Sequence, residues 1–225
     1  MKTSDRGIIA LLIKEGIVPA PYLDSVGVWT YGAGHTAAAG APEPASMPRG
    51  MPADLDAALR DVFTVFRRDL VQYERAVNQA LRVPVAQHEF DALVSFHYNT
   101  GAVGRAMLTK HLNRGDRKLA AAAFMGWVKP PEIKERRRAE QALFETGRYS
   151  EGGIPVYSAN TAGRVTFRAI RTIRPTEALD MMCAPAVDQP MTTPPVAVQE
   201  PAKSERQSGL TDLLAFIVAW FRGRG

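Results

Sequence analysis

The chain predicts an α+β fold, predominantly helical, in which a small β lobe and a larger helical lobe are joined by one long helix. Three observations carry this. Leu55, Leu59, Val62, Phe63, Phe66, Leu70, Tyr73, Val77 and Leu81 recur at steps of three and four. They define an amphipathic helix over about residues 53–82 whose apolar stripe is core, not a cofactor box. Upstream, Val28-Trp29-Thr30-Tyr31 is a β-prone run bounded by Gly27 and Gly32. Downstream, shorter helical periods fall near 86–98, 104–113, 116–127 and 132–145, with Gly115 and Gly147 as stops.

The elements can be justified in order. Residues 5–15 form a helix with Ile8, Leu11, Leu12 and Glu15 on one face. Ser4 is its expected N-cap, and Gly16 suits the left-handed stop just past its end. Glu15 then sits at the negative end of the helix dipole, where a carboxylate is disfavoured and a proton donor is favoured. Asp24 falls in the turn before the β-prone run. Thr30 shares a strand face with Val28 and Gly32, from which it could help Asp24 hold a water. Two carboxylates and a hydroxyl thus stand within a short stretch, which is the minimum equipment for acid/base cleavage of a glycosidic bond. Singly, each is an ordinary solvated residue; the full spacing is more specific. His97 belongs to a mostly apolar helix face. Residues 154–172 have β character around Ser158–Gly163 and predict a short terminal hairpin or extended segment.

Composition narrows the function classes. The 225 residues carry a formal net charge of +5 and one cysteine, Cys183, so no intramolecular disulfide can form. Cys183 reads as an inert surface thiol. No Cys/His cluster has metal-ligand spacing, and there is no phosphate-binding glycine loop and no Gly-x-Ser-x-Gly elbow. Residues 129–174 hold ten Lys/Arg against five acids. Such a surface suits an anionic envelope polymer, and it is also ordinary solvated helix surface. Residues 1–175 form the expected catalytic domain and 176–209 a linker, rich in Pro, Gln, Thr and Ser from Cys183 onward. Residues 210–225 form a short apolar segment, Leu210 to Phe221, followed by Arg222 and Arg224. Twelve residues are too few to span a bilayer. Their aromatic, arginine-flanked end suits a membrane interface or a protein groove.

The pattern Glu15-x8-Asp24-x5-Thr30-x-Gly32-x-Gly34-His35 resembles the phage-type lysozymes, the endolysins of tailed phages. The resemblance continues through Phe90–Gly101, Leu108–Asp116 and Arg136–Gly147, over about residues 5–150. It implies a lysozyme-like fold and hydrolysis of the β-1,4 bond between N-acetylmuramic acid and N-acetylglucosamine in peptidoglycan, with no cofactor, no metal and no nucleic acid. It implies that Glu15 is the general acid, that Asp24 positions water or stabilises charge, and that Thr30 assists. Arg136 matches the arginine set beside the catalytic Glu. Asn99 and Gly101 match positions lining the saccharide cleft; Gly32 and His35 match supports of the β-hairpin. It suggests inversion at the sugar. The chain departs from the pattern in the Ala/Pro/Gly-rich segment Thr36–Met51, at Arg105-Ala106, and at Pro130-Pro131-Glu132.

With no secretory signal before the first helix, the expectation is synthesis in the host bacterial cytoplasm and release to the wall through a holin-like partner. Two rivals stand beside this reading. One is a glycan-binding protein that keeps the fold without cutting; the intact Glu15/Asp24/Thr30 set argues against it. The other is a virion- or membrane-associated wall-remodelling protein that uses residues 210–221.

Overall fold

The structure, a computed structural model, describes residues 1–183. Helix α1 (Asp5–Glu15) starts where expected: the Ser4 hydroxyl oxygen accepts from the Gly7 amide at 3.0 Å. Ser4 is itself fixed by Asp91, whose two oxygens accept from the Ser4 amide (3.1 Å) and hydroxyl (2.5 Å). Gly7 permits this approach, because a Cβ there would lie 2.6 Å from Asp91 Cγ. After Gly16 come three antiparallel strands in sequential order, β1 (Val18–Leu23), β2 (Trp29–Gly32) and β3 (His35–Thr36). The strand predicted over 28–31 is shifted by one residue, since Val28 is consumed in closing the turn at Asp24.

The long helix α2 (Leu55–Ala80) is capped by Asp54, which accepts from the Ala57 amide at 2.9 Å, and it carries the predicted stripe inward. Helix α3 (Gln87–Thr100) is the centre of the helical lobe: Phe90, Ala92, Leu93, Val94 and Phe96 have no exposed surface. Against it packs α6 (Lys134–Thr146), which also meets α5 (Arg117–Ala123), and α5 in turn packs on α4 (Met107–Leu112). α4 and α5 are shorter than the periodicity suggests, α4 mainly at its start and α5 mainly at its end, and α6 starts two residues later. Residues 102–106 close a separate turn after the left-handed Gly101, and Thr109 donates back to the Val103 carbonyl at 2.6 Å. Residues 124–126 and 131–133 tighten into 3-10 turns, the second one starting at a proline.

Of the two forms expected for the terminal β segment, the hairpin is the one formed, β4 (Ile154–Ala159) against β5 (Val165–Ile173). The next element corrects the expected domain boundary. Helix α7 (Pro175–Cys183) runs through residues assigned to the start of the linker and packs on α1 and α2, with Ala178 fully buried. Ala178, Leu179 and Met182 give it an apolar side that packs on the core. The linker and apolar-segment assignments beyond Cys183 lie outside the described residues. Among the described residues no helix is long and apolar enough to cross a membrane.

Candidate active site

Glu15 is the last residue of α1 and is only 5% exposed. Its Oε1 accepts from Arg136 Nη1 at 2.5 Å. Arg136, on α6, is 9% exposed; its Nε donates to Glu140 Oε1 at 3.0 Å and its Nη2 to the Ser95 carbonyl at 3.3 Å. Glu140 is completely buried and also accepts from the Ser95 hydroxyl at 2.7 Å and from Arg137. Arg137 in turn donates to Asn99 Oδ1 and, at 3.1 Å, to the Trp127 carbonyl, with its guanidinium 5.2 Å from the Phe96 ring centre. Two carboxylates, Glu15 and Glu140, and two guanidiniums therefore alternate in a buried network, each charge paired.

The electrostatics follow from burial and pairing. Burial alone would pull Arg136 down and push Glu140 up; the opposite charges win in both, so Arg136 is raised and Glu140 lowered. For Arg137 burial dominates and its value falls. Lys14, beside Glu15 on α1, is pushed down to about 8 by burial, with the charges of Glu140 and Glu15 opposing and those of Arg136 and Arg137 assisting.

Asp24 is held quite differently. It sits half-buried in the turn between β1 and β2, and its Oδ1 accepts from the amides of Val26 (3.0 Å) and Val28 (2.7 Å). The Asp24 amide donates to the Val28 carbonyl at 3.0 Å, and the same carbonyl accepts from the Thr30 hydroxyl at 3.1 Å. Asp24 and Thr30 are thus joined through the Val28 peptide group. Thr30 is buried and stands opposite Tyr22 in the β1–β2 register. Tyr22 escaped notice in the sequence, where it reads as an ordinary strand aromatic. Its buried hydroxyl has no acceptor for its proton among the described residues. Burial first, then the charges of Asp24 and Glu15, push this phenol up, which places Tyr22 in the field of both carboxylates.

The supports fall as follows. Gly32 adopts φ +64° and lies against Val62 of α2, so the β lobe seats directly on the long helix. His35 is buried; its Nδ1 meets Asp69 Oδ2 at 2.7 Å and its Nε2 meets the Pro42 carbonyl at 2.7 Å. Both partners are acceptors, so only the doubly protonated ring satisfies both. Burial disfavours that charge, but the bonds to Asp69 and Pro42 outweigh it and His35 is raised above its ordinary value. Through Pro42, His35 anchors the unusual segment 36–51, and Arg49 pins the other end by stacking 3.5 Å over the Trp29 ring. Gly101 is the left-handed cap of α3 at φ +60°. Asn99 is buried and turned toward Arg137. Glu140 and Ser95 were also missed in the sequence; the i, i+4 spacing of Arg136 and Glu140 is the signal that could have exposed the pair.

The chain is similar to known proteins in sequence and in fold. The sequence profile described as Phage lysozyme matches residues 13–140, more than half of the chain. The chain belongs to the phage lysozyme family. It is 34% identical over 150 residues to the endolysin of Salmonella phage P22, covering 64% of this chain and 98% of that one. Its fold is similar to the endolysin from Escherichia coli O157:H7 phage FAHEc1, with TM-score 0.58 and 30% identity over 67% of this chain and 98% of that one. It is also similar to the muramidase domain of SpmX from Asticaccaulis excentricus, with TM-score 0.51 and 30% identity over 64% of this chain and 98% of that one.

Proposed function

We propose that the chain is an endolysin-type muramidase that hydrolyses the β-1,4 bond between N-acetylmuramic acid and N-acetylglucosamine in peptidoglycan. The observation that carries this is Glu15, a buried carboxyl at a helix end, fixed by Arg136, with Asp24 held by backbone amides in the turn between β1 and β2. Glu15 protonates the leaving oxygen. Asp24, whose Oδ1 is taken by two amides, offers its other oxygen to a water on the opposite face of the sugar, with Thr30 beside it. Inversion follows when the carboxyls stand about 6.5–9.5 Å apart, leaving room for that water.

The test is Glu15→Gln. Glutamine keeps the shape and has no transferable proton, so release of reducing sugar from purified walls falls by about 10²–10⁴-fold or more. Near-wild-type turnover would sink the assignment. NMR of the freshly released anomer separates inversion from retention. We further propose synthesis in the host bacterial cytoplasm, access to the wall through a holin-like partner, and membrane or protein contact through residues 210–221. The composition of that segment supports the contact: Leu213, Leu214, Phe216, Ile217, Trp220 and Phe221 stand next to two arginines. Vesicle co-sedimentation of the full chain against a chain ending at Cys183 tests it. Equal partition of both forms into the supernatant would remove the membrane.

A further inference from the structure

The terminal hairpin β4–β5 lies beyond residues 13–140, the stretch matched by the family profile, yet it is bonded to the catalytic segment at two points. The first is just past Glu15. The Ile17 amide donates to the Pro155 carbonyl at 2.9 Å, and the Tyr157 amide donates to the Ile17 carbonyl at 2.8 Å. Gly16, at φ +73°, fits under the Tyr157 ring; a Cβ there would lie 2.6 Å from Tyr157 Cε2. The second point is just before Asp24, where the Leu23 amide donates to the Gly163 carbonyl at 2.9 Å. Gly163, at φ +76°, is pressed against the Trp29 ring, and a Cβ would come within 2.6 and 2.7 Å of it and 3.2 Å from the Leu23 nitrogen.

The hairpin turn is built like the turn it touches. Asn160 Oδ1 accepts from the amides of Ala162 (3.0 Å) and Arg164 (2.9 Å), as Asp24 Oδ1 accepts from those of Val26 and Val28. Between the two points, Val18, Ala20 and Tyr22 of β1 pack with Ala159 of β4 in one buried cluster.

The segment needs this second hold. β1 contains Pro19 and Pro21, which have no amide hydrogen, and its register against β2 shifts between Val18 and Tyr22. On its own, such a strand is a poor ruler. A glycosidase needs a good one, because carboxyl separations a few Å apart select different reactions.

We infer that the β4–β5 hairpin fixes the spacing of Glu15 from Asp24 by holding β1 at both ends, with Asn160 and Gly163 as positioning residues for hydrolysis. This rests on the assignment of Glu15 and Asp24 proposed above.

The test uses the full chain and soluble peptidoglycan fragments, with kcat, KM and the melting temperature measured for Asn160→Ala, Asn160→Asp, Gly163→Val and Glu15→Gln. A displacement of about 1 Å at a reacting group can cost on the order of 10²-fold, so Gly163→Val is expected to lose at least about tenfold in kcat with little change in KM. Asn160→Ala loses less, and Asn160→Asp, which keeps the acceptor, retains wild-type kcat. Amide exchange at Val26 and Val28 quickens in Asn160→Ala, as a purely remote stabilising role would not require. Should Gly163→Val fail to fold, the Asn160 pair decides. Unchanged kcat in folded Asn160→Ala overturns the inference. So does a rise in KM alone, which would mean direct substrate contact, and so does equal loss in Asn160→Ala and Asn160→Asp. Turnover retained in Glu15→Gln would instead overturn the catalytic assignment, whatever the hairpin variants do.

Discussion

Glu15 and Asp24 are both carboxylates, and the protein holds them by opposite means. Glu15 is locked by charge: Arg136 binds it, Glu140 binds Arg136, and the whole group is buried between α1, α3 and α6. Asp24 is held by backbone amides in a half-exposed turn, with no ion pair among its described contacts. The difference matches the division of work proposed for them. A group that delivers one proton to a fixed oxygen gains from a rigid, dry setting. A group that works through water must keep one face wet. Amides anchor such a carboxylate without covering it, and a salt bridge would compete with the water for its free oxygen.

The largest expected effect breaks the Asp24 side. Asp24→Asn keeps a carbonyl oxygen for the amides of Val26 and Val28 and removes the carboxylate proposed to act on the water, so turnover should drop by about 10²–10⁴-fold while the melting temperature barely moves. Thr30→Ala should cost less, since its hydroxyl reaches Asp24 only through the Val28 carbonyl. If Asp24→Asn melted much earlier than wild type, the turn would depend on the charge and the contrast with Glu15 would fail.

The Glu15 side should break as stability. Glu140→Ala leaves Arg136 and Arg137 buried side by side without their shared counter-charge, which should cost about 3–5 kcal/mol in denaturant unfolding. A loss near zero would mean that water replaces the carboxylate and that the network is not dry. Arg136→Ala sharpens the same point from the other side: it leaves Glu15 buried without the guanidinium that binds it, so stability in denaturant unfolding should again fall by about 3–5 kcal/mol. A loss near zero would mean that the Arg136–Glu15 pair does not hold the carboxyl in place.

The two sides also differed in how far they could be read from sequence. The Ser4 cap, the α1 limits, the stripe of α2 and the β character of 154–172 followed from local rules, because periodicity and capping are short-range signals. The Asp24 turn was legible for the same reason, its bonds lying within four residues. The network under Glu15 was only half legible. Arg136 was reached through family resemblance; Glu140, Ser95 and the Asn99–Arg137 bond depend on α3 and α6 meeting in space, which no local pattern encodes. Residues 176–183 fell on the linker side of the expected boundary although the Pro/Gln/Thr/Ser-rich composition begins only at Cys183; packing of α7 on α1 and α2, with Ala178 buried, joins them to the folded domain.

The smallest expected effect lies at His35, where the β lobe uses charge in the way the helical lobe does. His35 joins β3 to Asp69 of α2 and to Pro42, and its folded value stands above the ordinary one. The sign is that of a base stabilised in its protonated form. The contribution is fully present below about pH 6.5, where the unfolded chain is also protonated, and it is lost as pH rises through the higher folded value. His35→Asn should therefore cost about 1.5–3 kcal/mol at pH 5, the range for hydrogen bonds to a charged group, and clearly less at pH 9. Unfolding curves of both proteins at the two pH values measure the gap. A gap that stayed constant would show that His35 contributes only shape. The β lobe would then hold Asp24 without any pH-dependent charge, and the contrast between the two carboxylates would be complete.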